Sequence, residues 1–462
     1  MYYLAPAVQF AAKGLLISPL YPSDWMMNNI VDLSGMKRFL YYPPLFPLLL
    51  SYLMPEATPQ GNFIAVEILN IAVMFSSALL FYKIATKKND LSWPKVFLII
   101  LFLITLASTV AETGRPELLA RLWVALGALV YFYVPKKYDW FCWGILLGLM
   151  FATHPAGGIF SIFVLGMLLG ISLKPREIIL KGSAIFFLGI LIFLSVIALG
   201  PFSIGETFGG IFRHTIAVNH IVSQSTQKFF TFSNMLNYFI ISPTAPFYGL
   251  VMLLTIVAGI YFYRKYWRHL ISPRFVFLCT ALLIFFLGQA ILLGHAFYPS
   301  LFAPLSFSIL IYFFLEKGIF KKIAVVVVFG LITTGILRTV ALFPFFLKQR
   351  ASLTEARVRF AELTKPFSES NAKIAVTGGF WSLTENYKNV YPYNTWPEKP
   401  KENTALLFFQ QRYSGMLTPP EITGCNLISD KFSREIPKIF GVKLANTMPG
   451  YGYAVYNCLK KP

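Results

Sequence analysis

Charge is what this sequence lacks most. Only 13% of its 462 residues are Asp, Glu, Lys or Arg, about half the share of an ordinary soluble domain. With 56% hydrophobic residues, the composition is that of a polytopic membrane protein. Acid is scarcer than base, with 20 Asp and Glu against 40 Lys and Arg. In a soluble chain a net charge of +20 would suggest nucleic acid. In a membrane chain Lys and Arg gather in cytoplasmic loops and set orientation, so no nucleic-acid partner is expected. Cysteine is scarce too: four residues without a CxxC pair leave no zinc or redox motif. His214 and His220 stand six apart in FRHTIAVNH (212–220) with no carboxylate beside them, and that is not a metal spacing. No internal repeat, low-complexity run or phosphate-binding glycine loop is present, and TGGF (377–380) is too weak to count as one. No metal and no resident cofactor are expected.

What the chain has is apolar length. Ten segments stand out at about 62–84, 94–111, 117–134, 140–153, 155–173, 178–200, 246–263, 273–294, 299–315 and 320–343. The fourth and fifth flank His154-Pro155, and merging them into one kinked helix would invert everything downstream. Charge decides between the two. The loops KIATKKNDLSWPK (83–95), PKKYD (135–139), KPREIILK (174–181), RKYWRHLISPR (264–274) and EKGIFKK (316–322) are basic. The intervening ETGRPE (112–117), the His154 junction, 201–245 and GHAFYPS (294–300) are poor in Lys and Arg. With ten spans the two classes alternate, so the basic loops are expected to be cytoplasmic.

The expected fold is therefore an α-helical polytopic membrane protein of about ten transmembrane helices, with a small C-terminal extracytoplasmic α/β domain. Residues 1–61 would form an outer-face loop with interfacial helices, 62–345 the transmembrane part and 351–462 the outer domain. In that tail AKIAVTGGF, NTALLFFQQRY and GYAVYNCLKK read as strands and LTEARVRFAEL as a helix. Cys425 and Cys458 both fall there, where a disulfide would be compatible with an outer compartment.

Polar features collect on the expected outer side. In GMKRFLYYPPLFPLLLSYLMP (35–55) Pro43, Pro44 and Pro47 are expected to forbid a regular helix start before that point and to fix the chain extended at Tyr42 and Pro43, and the apolar run after them is too short to span. Lys37 and Arg38 could hold a lipid phosphate beside the Tyr42 ring, or serve with it as ordinary interfacial anchors. In ETGRPELLARLW (112–123), Glu112, Arg115 and Glu117 crowd a short turn, and Arg121 lies one helical turn beyond Glu117. That turn is either a self-neutralised link or the rim of a polar cavity. In FATHPAGG (151–158), His154 can donate to a phosphate or cap a helix end.

These stretches, in this order, resemble the bacterial C-type membrane glycosyltransferases, which include protein O-mannosyltransferases and aminoarabinose transferases. YYLAPAVQFAAKG with YYPPLFPLLL looks like that family's first outer loop. ETGRPELLARLWVALGALVYF looks like its outer turn, and WGILLGLMFATHPAGGIF like the glycine-rich helix that comes next. The likeness spans roughly the first 175 residues. It implies inverting transfer of a sugar from a polyprenyl-phosphate donor to a protein, lipid or glycan acceptor at the outer face of a bacterial plasma membrane. A carboxylate would act as base, and cations would hold the leaving phosphate. The resemblance also implies a further span and an acidic pair ahead of Tyr2 and Tyr3, which the sequence from Met1 onward does not include. Of the acids present on that side, Asp24, Asp32, Glu112 and Glu117, the two at the helix mouth are the candidate catalytic residues. Lys37, Arg38, Tyr42, Arg115 and His154 are the candidate substrate-binding residues. Two other readings use the same features: a flippase or transporter of lipid-linked precursors, and an inactive relative that only binds a polyprenyl phosphate.

Overall fold

Loop charge is expected to mark where helices end. The helix ends at Thr86 and Tyr133 follow it, but KPREIILK (174–181), expected as a loop, falls from Pro175 onward inside the helix Pro175–Ala198. The structure is a computed structural model; it describes residues 4–16, 42–86, 92–109, 115–172, 175–211, 301, 303–315, 353–367, 371–377, 390–393, 400–411, 418–432, 438–439, 442–443 and 452–459, with isolated positions at 321–329. The chain is mostly helical with a small sheet. The helices are α1 (Leu4–Lys13), α2 (Leu45–Leu53), α3 (Pro59–Thr86), α4 (Trp93–Thr109), α5 (Glu117–Tyr133), α6 (Asp139–Thr153), α7 (Pro155–Ser172), α8 (Pro175–Ala198), α9 (Ala303–Leu315) and α10 (Leu353–Thr364). The expected break at His154 is present: it separates α6 from α7.

Two of these helices, over Gln60–Thr86 and Arg176–Ala198, are long and apolar enough to cross a membrane. Others match their expected segments but are shorter than a membrane span. At 15 residues α6 reaches about 22 Å, less than a hydrocarbon core of about 30 Å. The expected spans 246–263 and 273–294 lie outside the described residues, as does nearly all of 320–343.

Packing among the helices is close where side chains are small. Helix α6 packs along α8 and also against α5 and α7, while α3 packs against α4, α5 and α9. A Cβ on Gly148 would lie 2.5 Å from the Gly189 carbonyl oxygen, and one on Gly144 would lie 2.8 Å from Leu188 Cδ2. Gly144 and Gly148, four apart, thus let the α6 and α8 backbones approach, as small residues do between apolar helices. On the other side, Phe81, Phe102 and Phe307 join α3, α4 and α9, with the last two rings stacked at 4.8 Å. The helix start, expected only after Pro47, comes earlier: α2 begins at Leu45, directly after Pro43 and Pro44, because Pro47 falls within its first turn, where the missing N–H costs nothing.

The tail forms the expected small α/β unit. Its strands are β1 (Lys373–Val376), β2 (Val390–Pro392), β3 (Thr404–Gln410), β4 (Asn426–Asp430), β5 (Lys438–Ile439), β6 (Val442–Lys443) and β7 (Tyr453–Asn457). Five of them make one sheet in the order β2-β1-β3-β7-β4, parallel between β2, β1 and β3 and antiparallel beyond. Alternation along β3 splits its side chains between two covers. Phe408 faces Phe360 of α10, at 4.7 Å between rings, while Leu407 and Phe409 pack with Ile422 and Phe432. The Tyr456 O–H donates to the Pro420 carbonyl at 2.7 Å, and burial pushes its phenol well above the ordinary range. Cys425 and Cys458 are joined as a disulfide between the start of β4 and the end of β7.

Candidate functional site

Helix α5 starts where Pro116 supplies the preformed dihedrals of a first turn, and Glu117 is the first residue inside it. A carboxylate is favourable at a helix N-terminus, where backbone N–H groups lack partners. Here it is also buried, with its side chain 5% exposed. Arg115, just outside the helix, reaches back to it. Arg115 Nη2 donates to Oε1 at 2.6 Å, and Nε lies 3.1 Å from both carboxylate oxygens. The Arg115 side chain is itself 37% exposed, so the pair is partly open on its cationic side and hides its carboxylate. The partner of Glu117 is thus the residue two places before it. Arg121, one turn further on, is buried within the same helix.

His154 reaches the same carboxylate from the α6–α7 junction. Its backbone N–H donates to the Met150 carbonyl at 2.7 Å, which closes α6. Its extended φ of −151° breaks the helix there, and its ring then starts the next one. Nδ1 accepts the Gly157 N–H at 2.9 Å, so His154 is the N-cap of α7, with Pro155 in the first helical position. A nitrogen that accepts carries no proton, which leaves the proton of the neutral ring on Nε2. That atom points to Glu117, 3.7 Å from Oε1. Of the two alternatives read from FATHPAGG, the structure shows the helix cap, and the other ring nitrogen faces the Glu117 carboxylate. The two glycines allow this, since a Cβ on Gly157 would crowd Nδ1 at 3.2 Å and one on Gly158 would strike the Phe151 ring at 2.6 Å.

Tyr42 completes the group from the YYPPLF element. Its ring meets His154 edge to face at 6.0 Å, in a patch that includes Phe10, Leu16, Leu48 and Phe202. Four of the candidate residues, Tyr42, Arg115, Glu117 and His154, therefore meet at one end of the helices although three separate stretches supply them. Lys37, Arg38 and Glu112, like Asp24 and Asp32, lie outside the described residues. Behind the group, Trp123 Nε1 donates to Thr153 Oγ1 at 2.9 Å, and Thr153 in turn donates to the Leu149 carbonyl at 2.7 Å. This pair ties α5 to the end of α6 beside His154. Sequence reasoning missed it, because two residues thirty apart carry no spacing signal.

Among the described residues no cluster of His, Cys, Asp or Glu has the makings of a metal site. Chemically the group is a buried carboxylate neutralised by a partly exposed guanidinium and faced by an imidazole and a tyrosine ring. Glu117 is poorly placed to accept a proton, because its oxygens already take the Arg115 hydrogen bonds. Comparison with protein-family models, curated proteins and solved structures returned no match to this chain.

Proposed function

We propose that the chain is a polytopic membrane glycosyltransferase of about ten spans, using a polyprenyl-phosphate-linked sugar, with its site and tail domain on the outer face. The observation that carries this reading is the convergence of Tyr42, Arg115, Glu117 and His154 at one helix end, together with the resemblance of the stretches that supply them. Apolar side chains turned outward support the membrane part of it: Leu180 and Phe187 of α8 are 77% and 67% exposed, a surface that suits lipid and not water. The disulfide Cys425–Cys458 fits an oxidising outer compartment.

In this mechanism an acceptor hydroxyl or amine attacks the anomeric carbon from the face opposite the phosphate. The bond from that carbon to the phosphate oxygen breaks, and polyprenyl phosphate leaves with the electron pair toward the Arg115 guanidinium. The acceptor proton passes to a carboxylate. Glu117, engaged by Arg115, acts best by holding that guanidinium in place, which leaves Glu112 as the stronger candidate for base. Lys37 and Arg38 would add cations to the phosphate.

The engagement of Glu117 also favours a second reading, a relative that binds a polyprenyl phosphate without turning it over. One experiment separates the two. Membranes containing the protein are given a radiolabelled polyprenyl-phosphate sugar pool, and label in protein, glycolipid and polymer fractions is counted. The enzyme predicts labelled acceptor, abolished by Glu112→Gln and reduced at least tenfold by Arg115→Ala. Retained lipid-linked label with no labelled acceptor would support the binder and reject the enzyme.

A further inference from the structure

The opposite end of the helices, where α5 finishes and α6 begins, carries a second cluster of charge. Lys83 Nζ at the end of α3 lies 4.9 Å from the centre of the Tyr133 ring. Lys136 and Lys137, in the turn between α5 and α6, lie 4.0 Å from Tyr131 and 5.5 Å from Tyr138. Among the described residues none of these three lysines has a carboxylate partner. Lys181 differs. It pairs with buried Asp139 at 2.5 Å and donates to the Lys136 carbonyl at 3.3 Å, which pins the turn to α8.

An ammonium over a tyrosine face is attracted to the ring and held in one direction. The rings here are exposed at 38%, 54% and 56% for Tyr131, Tyr133 and Tyr138, so core packing does not account for them. Rings with an apolar body and a wet hydroxyl, interleaved with unneutralised cations at helix ends, match the headgroup layer of a bilayer in polarity and charge. Three lysines at helix ends would hold a free anion from water only weakly. A lipid phosphate is kept at that depth by its own acyl chains and needs only the local attraction.

We propose that this lysine–tyrosine cluster docks the phosphate headgroup of an anionic phospholipid. The proposal rests on the membrane reading above and not on sugar transfer.

The test uses the purified full chain in nanodiscs of phosphatidylcholine with a minor share of phosphatidylglycerol, and measures by mass spectrometry the lipids that stay bound. One lysine at the surface is worth about fivefold in anionic-lipid occupancy. The wild type should therefore retain phosphatidylglycerol at least about fivefold above its share in the disc. The variant Lys83→Gln/Lys136→Gln/Lys137→Gln should retain it only at that share, and the matching Lys→Arg variant should keep the enrichment. If the Gln triple variant does not fold, the three single Gln variants replace it, each with reduced enrichment. Unchanged enrichment without the lysines would overturn the proposal. So would loss of enrichment when millimolar inorganic phosphate is added, which would assign the cluster to a free anion. Failure of the wild type to enter discs at all would reject the membrane reading itself.

Discussion

The two ends of the helical part each bury one carboxylate at the start of a helix, and they use it differently. Asp139 opens α6 and Glu117 opens α5, roughly 25 Å apart by the length of α5. Asp139 is paired with Lys181 of α8, and their side chains are 1% and 16% exposed. That pair is a clamp between helices, fully buried on the carboxylate side and mostly buried on the ammonium side. Glu117 is paired with a residue of its own turn, and the cation is more than a third exposed. The same chemistry thus gives a joint between helices at one end and a pair with a partly exposed cation at the other. The difference lies in where the cation comes from, since a cation from another helix must be buried to arrive while a cation from the adjoining turn need not be.

This contrast sets an order of effects. Asp139→Ala strips a partly buried ammonium of its fully buried carboxylate partner and should cost about 2–4 kcal/mol, read as a large fall in the denaturation midpoint of the purified protein. Adding Lys181→Met should restore much of the loss, because the stranded charge goes with it. A double variant no more stable than the single would mean that the clamp is not what Asp139 supplies. Glu117→Gln should cost less, about 1–2 kcal/mol, since the exposed Arg115 can turn to water and the amide still accepts one hydrogen bond. Equal losses at Asp139 and Glu117 would erase the distinction between the two ends.

The sequence made one end legible and left the other hidden. Tyr42, Arg115, Glu117 and His154 were all selectable, because each is a polar or aromatic interruption where an apolar pattern and a topology rule met. Their grouping came from putting those interruptions on one side. The partner of Glu117 was harder: spacing along a helix points forward to Arg121, but the helix begins at Glu117, so the residue that folds over it comes from the turn before. The clamp was invisible, since Asp139 sits in PKKYD and reads as the minor charge of a basic loop. In the tail, β3 and β7 were legible from their apolar runs. By contrast, β2 has three residues, and β4 is an edge strand with exposed Leu427 and Ile428, so neither produces a pattern.

The smallest expected effect dissects His154, the residue that links the Glu117 end to the helix break. Its ring does two things that substitution can separate: Nδ1 caps α7 through the Gly157 N–H, and Nε2 faces Glu117. Replacing the buried ring by Ala removes both and leaves a void. His154→Ser removes the ring to nearly the same extent but restores a capping oxygen, since serine is among the preferred N-cap residues. The difference between the two variants is therefore the cap alone, expected at about 1 kcal/mol in favour of Ser. Nitrogen NMR of imidazole-labelled wild type provides the independent check, because an accepting Nδ1 and a protonated Nε2 resonate far apart. Equal stability of the Ser and Ala variants, with the proton found on Nδ1, would show that the ring is held by contacts other than the cap. Its N–H would then no longer be directed at the carboxylate, and the arrangement of the whole end would have to be drawn again.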